Sequence, residues 1–198
     1  MDSGPDGKFW IDSTVSNKSF FYGVKNGLTY DLISQLDHFV ESEHLLHTGT
    51  LVGGLDQSHN RVTEVAWIDT DTNKEVYDRL SDLVHFVNTN YFKFNISYLE
   101  TLQYSVYPIG GHYVCHTDGF LKGWNGFARK ISFSLGLNDP SEYEGGELEI
   151  WTGGANFKTT LNKGEALFFP SWIPHQVHPV TNGTRKSLVG WVHGPDFI

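Results

Sequence analysis

The chain has 198 residues, 39% of them hydrophobic, which suffices for one well-buried core but not for two large domains, so residues 1–198 read as a single domain. Aromatic residues make up 15%, with 21 glycines and one methionine, a balance that favours strands and tight turns over a helical bundle. A formal charge of −9 without any run of Lys or Arg argues against a nucleic-acid partner, and the single cysteine, Cys115, excludes an internal disulfide and a cysteine-based zinc site.

Met1 to Asp12 lacks the basic and then apolar order of a signal peptide, and no stretch approaches a membrane span, so a cytoplasmic protein without membrane attachment is expected. Two segments then carry helical periodicity. From Tyr30 to Val40 the set Leu32, Ile33, Leu36, Phe39 and Val40 follows the spacing of a buried helix face behind a cap at Thr29. From Asn73 to Asn90 the set Val76, Leu80, Leu83, Val84 and Val87 does the same, with Asn73 as cap. These helices are scaffold, expected to cover the outer face of a sheet. The helical support occupies about residues 1–96 and a β core about residues 97–193.

From Ser97 onward, short runs rich in Tyr, Phe, Val, Ile and Leu are broken by Gly, Pro and Asn. Strands are predicted at Tyr98 to Tyr107, Tyr113 to Thr117, Lys130 to Leu137, Glu147 to Trp151, Ala166 to Phe169, His175 to Val177 and Ser187 to His193. Such a series argues for a sandwich, jelly roll or closed barrel.

The triplet His116-Thr117-Asp118 is the central chemical feature, because side chains two apart on an extended strand share a face and can converge on one metal ion. With 10 histidines in the chain, chance alone supplies about one such triplet, so the pattern needs company. His175, followed ten positions later by Arg185, provides it. Asn182-Gly183 between them is a strong hairpin signal, which predicts His175 and Arg185 on neighbouring antiparallel strands with positive φ at both turn residues. Two histidines and a carboxylate on one face of an iron leave positions open for other ligands. Arg185 offers a planar fork for a carboxylate such as the far end of a dicarboxylic keto acid, with Ser187 on the same strand face and Lys186 on the other.

The other histidines read differently. His178, an odd number of residues past His175, points to the opposite face, and His112 reads as a turn residue. Cys115, offset by one from His116, is expected to be a buried, unreactive thiol. Gly145-Gly146 reads as a tight turn before a strand whose Leu148 and Ile150 face the core.

The stretches Tyr107-Pro108-Ile109-Gly110-Gly111-His112-Tyr113-Val114-Cys115-His116-Thr117-Asp118, Tyr143-Glu144-Gly145-Gly146-Glu147-Leu148, and Pro174-His175 through Gly183-Thr184-Arg185-Lys186-Ser187 together resemble a known family. From Thr101 to His193 the chain is similar to the double-stranded β-helix core of Fe(II)/2-oxoglutarate dioxygenases, and among them to the prolyl 4-hydroxylase group. The resemblance implies a mainly β fold with supporting helices and a jelly-roll core. It implies Fe(II) held by His116, Asp118 and His175, and 2-oxoglutarate held by Arg185, with Tyr107 lining its pocket and Tyr113 nearer the substrate. O2 would be the oxidant, ascorbate a stimulant, and a prolyl residue in a peptide or protein the substrate. Procollagen-type enzymes usually carry lysine where this chain has Arg185, which leaves the substrate subgroup open. Trp124, in the glycine-rich stretch from Gly119 to Ala128 with Phe120 and Phe127, is a candidate substrate-facing residue.

Competing readings are a hydroxylase of another amino acid or a small molecule, a nucleic-acid demethylase disfavoured by the acidic balance, and a metal-binding β-helix module without turnover. A pure recognition module has no need of a keto-acid clamp, which Arg185 would supply. The sequence leaves the oligomeric state open.

Overall fold

The computed structural model describes residues 20–49, 59–120, 122–123, 125–154 and 156–197; Trp124 lies outside the described residues. The N-terminal part contains α1 (Tyr30–Ser42) and α2 (Lys74–Val87) together with strands β1 (Tyr22–Val24), β2 (His47–Thr48), β3 (Arg61–Val62) and β4 (Glu64–Ile68). The following strands are β5 (Tyr98–Leu99), β6 (Leu102–Tyr107), β7 (His112–His116), β8 (Phe127–Gly136), β9 (Tyr143–Gly145) and β10 (Leu148–Trp151). Then come β11 (Asn156–Thr159), β12 (Ala166–Pro170), β13 (His175–Val177), β14 (Val180–Gly183) and β15 (Arg185–Pro195). No described helix is long and apolar enough to cross a membrane.

Both helices form where the apolar periodicity places them. The Thr29 side chain accepts from Leu32 N at 3.3 Å and caps α1, whereas Asn73 makes no side-chain cap bond and instead donates to Asp69 O. The second helix ends at Val87 and passes into a single π turn from Asn88 to Phe92. The four strands before residue 97 were not anticipated, because β1, β2 and β3 are too short to show a period.

The strands form an eight-stranded sheet in the order β1-β12-β8-β15-β6-β4-β2, with β5 also paired to β15, and a five-stranded sheet in the order β11-β10-β13-β7-β3. This is the jelly-roll arrangement, with β14 and β9 as a separate pair. Period-two alternation sorts the side chains of the large sheet. Leu102 and Tyr104, Ile131, Phe133 and Leu135, and Leu188 and Val192 pack with Ile33, Leu36, Leu80 and Val84 of the helices into one core. Their sequence neighbours Gln103, Ser105, Ser132, Ser134, Arg185 and Ser187 are buried too, on the face turned toward the smaller sheet. An alternating strand ordinarily turns its polar side chains to water; here they line an interior cavity.

The turn at Asn182-Gly183 differs from the sequence expectation. Gly183 has φ +71° but Asn182 does not enter the positive region, and β14 pairs with β9 rather than with β15. The chain thus crosses from one sheet to the other. His175 lies in the smaller sheet and Arg185 in the larger, facing each other rather than sitting on adjacent strands.

Candidate active site

A cavity of about 140 Å³ lies between the two sheets, and His116, Asp118, His175, Arg185, Tyr107, Ser187 and Tyr113 all line it. Strand β7 carries His116 and pairs with β13 so that His116 lies opposite His175 and Tyr113 opposite Val177. Val114 and Cys115 of β7 thus lie opposite the single Gln176 of β13, a β-bulge. Without it, Tyr113 and His116, an odd number apart, would point to opposite faces. With it, their rings stack at 3.6 Å and 18°, both toward the cavity. The same bulge leaves Cys115 exposed, against the expectation of a buried thiol.

The donor atoms of His116, Asp118 and His175 lie within 4.8 Å of one another. His116 Nε2 is 3.6 Å from Asp118 Oδ1, and His175 Nε2 is 3.4 Å from Asp118 Oδ2. Each histidine is fixed from behind: His116 Nδ1 donates to Val114 O at 2.8 Å and His175 Nδ1 to Ile173 O at 2.9 Å. A carbonyl can only accept, so Nδ1 carries the proton and Nε2 presents its lone pair to the common point. Asp118 and Gly119 both donate through their backbone N–H to Ser171 O, which anchors the carboxylate's strand end. This donor set, two imidazoles and one carboxylate on one face, suits a divalent metal with open positions opposite.

Burial acts to raise the Asp118 carboxyl, but the His175 and His116 imidazoles and the Ser132 hydroxyl outweigh it and hold the group well below the usual carboxylate range. Burial pushes the His175 imidazole below its ordinary value, Asp118 pulls it up, and the His116 ring adds to the depression. A depressed folded pKa contributes stability above the unfolded imidazole value, and that stability is lost as pH falls through the folded one. Acidifying the metal-free protein from above the ordinary histidine value of 6.5 should therefore lower its thermal midpoint, and His175→Asn should flatten that decline, as scanning calorimetry over a pH series will show. An equally steep decline in the variant would assign the pH dependence to other groups.

Across the cavity, Arg185 is only 4% exposed. Its guanidinium donates to Ser187 Oγ at 3.2 Å and lies 5.0 Å from the centroid of the Tyr107 ring, and no ion pair engages it among the described residues. A buried fork without an anion is poised for one. Lys186 points away, 3.8 Å from both Asp37 and Glu41.

The remaining histidines sit apart from the triad. His178 Nε2 pairs with Glu149 at 2.7 Å, and His112 Nδ1 donates to Gly110 O in the preceding turn. Leu148 and Ile150 are buried as expected, behind glycines with φ +72° and +66° at Gly145 and Gly146.

Several residues at the cavity went unnoticed in the sequence. Arg61 and Trp67 come from the short N-terminal strands, Arg129 from the start of β8, and Trp191 from β15. The Arg129 guanidinium makes two bonds to the Glu100 carboxylate, at 2.6 and 2.8 Å, and lies 4.1 Å from the centroid of the Trp191 ring. His193 Nε2 meets the same carboxylate at 2.8 Å. Burial acts to raise Glu100, but His193 and Arg129 outweigh it and lower its pKa. Arg61 Nε and Nη2 and Trp191 Nε1 are buried with no hydrogen-bond partner among the described residues. The signal that could have flagged this surface was the buried-looking alternation Leu102-Gln103-Tyr104-Ser105 and Ile131-Ser132-Phe133-Ser134, in which the polar set repeats on neighbouring strands.

Known proteins resemble this chain in sequence and fold. The model of the 2OG-Fe(II) oxygenase superfamily matches residues 102–193. A PKHD-type hydroxylase of Crocosphaera subtropica is 33% identical over 172 residues, covering 84% of this chain and 78% of the relative. A PKHD-type hydroxylase of Picosynechococcus is 45% identical over 94 residues, covering 48% of this chain and 42% of the relative. Among solved structures, a Pseudomonas putida prolyl-4-hydroxylase superposes with a TM-score of 0.70 at 20% identity, over 94% of this chain and 97% of that one. A Trichoplax adhaerens prolyl hydroxylase, solved with a hypoxia inducible factor peptide fragment, gives 0.72 at 20% identity over 91% and 86%. At those identities the structures establish the shared fold, while the match sustained along the Crocosphaera relative reaches well beyond the β core. On that sequence match and the superfamily pattern over residues 102–193, the chain belongs to the 2OG-Fe(II) oxygenase superfamily.

Proposed function

We propose that the chain is an Fe(II)- and 2-oxoglutarate-dependent dioxygenase that hydroxylates a prolyl residue in a peptide or protein. The observation that carries the reading is the His116, Asp118 and His175 donor cluster facing the anion-free Arg185 across one cavity. His116 and His175 would hold the iron through Nε2, with Asp118 as the anionic ligand. Arg185 would bind the far carboxylate of 2-oxoglutarate, helped by the Ser187 hydroxyl, with the Tyr107 ring as a wall. When bound, the iron with 2-oxoglutarate and O2 supplies the oxidising power that converts C–H to C–OH, releasing succinate and CO2. Ascorbate would stimulate turnover by keeping the iron reduced.

The protein's own part is to bind, orient and exclude water. Trp67, Trp191 and Phe169 give the cavity apolar walls, and Tyr113 covers the open face of His116. The N–H groups of Arg61 and Trp191 offer donors without acceptors. A prolyl residue matches that lining, since it brings a backbone carbonyl and no N–H of its own. The names of the relatives and of the superposed structures point the same way. Hydroxylation of another amino acid or a small molecule would use the same centre.

The reading is tested by supplying the anaerobically purified protein with Fe(II), 2-oxoglutarate, ascorbate and air, with a proline-containing peptide or the same peptide carrying alanine instead. Succinate stimulated by the first peptide and not the second supports the prolyl substrate. Equal stimulation by both, or by neither, discards it.

A further inference from the structure

A second groove adjoins the cavity, and Asp118 and Arg129 line both. One wall is aromatic. Tyr98 stacks flat on His193 at 4.5 Å and 8°, and Phe127 lies 6.1 Å from Tyr98; Tyr98 and Phe127 are exposed. The other wall is the turn that follows Asp118, to which Gly119, Gly123 and Asn125 belong.

That turn is tied to the end of β15. Asp196 Oδ1 accepts from Gly123 N at 2.9 Å, and Asp196 N donates to Gly126 O at 2.9 Å. Phe197 anchors the tie: its ring meets Phe94 and Trp172 edge-on at 5.8 and 5.1 Å, and the Lys130 ammonium lies 3.2 Å from its centroid. Lys130 is 2% exposed, and burial lowers its pKa while Asp196 opposes that shift. Gly123 is pressed so closely on β8 that a Cβ there would fall 1.8 Å from Phe127 O. A displacement of the turn therefore reaches the groove directly.

We propose that Asp196, anchored by Phe197, is a positioning residue that holds the wall of a groove for the substrate residues flanking the acceptor. The inference rests on the polypeptide reading above. The occupant follows from continuity: an extended chain advances about 3.3 Å per residue, so a polypeptide with its acceptor at the metal must leave the cavity within one or two residues, and the groove that shares Asp118 and Arg129 with the cavity runs along the Tyr98 and Phe127 rings. Asp196 touches neither the metal ligands nor the Arg185 pocket, so its loss should act on substrate binding and leave 2-oxoglutarate binding alone.

The test compares Asp196→Ala and Asp196→Asn with the wild-type chain, using acceptor peptides extended by several residues and a minimal acceptor. Asp196→Ala should raise KM for the extended peptide by about fivefold to tenfold, the effect of losing one hydrogen bond to a carboxylate, with unchanged affinity for 2-oxoglutarate by titration calorimetry and little change for the minimal acceptor. Asparagine keeps the accepting oxygen and should restore the wild-type KM. Hydrogen exchange should show faster exchange at the Gly123 amide in Asp196→Ala, confined to the turn. Freed exchange with an unaltered KM would overturn the proposal, as would an equal loss for both acceptors together with weakened 2-oxoglutarate binding. Failure of the polypeptide reading would show separately, in a wild-type enzyme that turns over only non-peptide acceptors.

Discussion

Replacing Asp118 by alanine should reduce 2-oxoglutarate turnover at least about 1000-fold while leaving the chain folded, because the substitution removes the one anionic donor of the metal cluster. The two imidazoles left behind bring no negative charge, and a divalent cation between them would sit in a largely buried cavity without charge compensation. The backbone should survive, since the bonds from residues 118 and 119 to Ser171 O do not involve the carboxylate. Iron content after gel filtration, circular dichroism and succinate formation separate these effects. A folded variant that keeps its iron and a tenth or more of the wild-type rate would remove Asp118 from the metal centre.

Arg185→Gln should weaken 2-oxoglutarate binding by about 2 to 4 kcal/mol, roughly 30- to 1000-fold, the usual cost of truncating one partner of a buried charge pair. The guanidinium is shielded from water and carries no internal counter-ion among the described residues, so its whole electrostatic capacity is available to a ligand carboxylate. Arg185→Lys should lose less, about tenfold, because an ammonium keeps the charge but not the planar fork. Metal binding should be untouched in both. Calorimetric titration with 2-oxoglutarate beside a keto acid of equal length lacking the far carboxylate makes the assignment specific: the wild type should discriminate strongly between them and the glutamine variant hardly at all. Full discrimination without the arginine would place the clamp elsewhere.

The two substitutions act on elements that were legible to different degrees. His116 and Asp118 could be brought together from the sequence because a two-residue spacing in an extended segment favours a common face, although β7 ends at His116 and Asp118 stands just past it, held by its backbone bond to Ser171 O. The association of His175 with Arg185 was also legible, but its route was not. An Asn-Gly pair favours a hairpin locally, yet Asn182 and Gly183 pair with Glu144 and Tyr143 on β9, and the chain changes sheets. Tyr113 shares a face with His116 only through the bulge at Val114 and Cys115, which no period reveals and which also turns the thiol outward. Arg61 and Trp67 belong to strands too short or too irregular to announce themselves, and they reach the cavity through long-range pairing of β3 with β7 and of β4 with β6. The polar row Gln103, Ser105, Ser132 and Ser134 was visible as alternation, but only the second sheet shows that this face looks inward rather than to water.

The most direct test of an iron and 2-oxoglutarate centre built on His116, Asp118, His175 and Arg185 is turnover under 18O2 with a proline-containing peptide, followed by mass spectrometry of both products. We expect one labelled oxygen atom in succinate and one in the peptide, in equal amounts, with both lost in Asp118→Ala. A folded wild-type protein with bound iron that forms neither labelled succinate nor labelled peptide would contradict it.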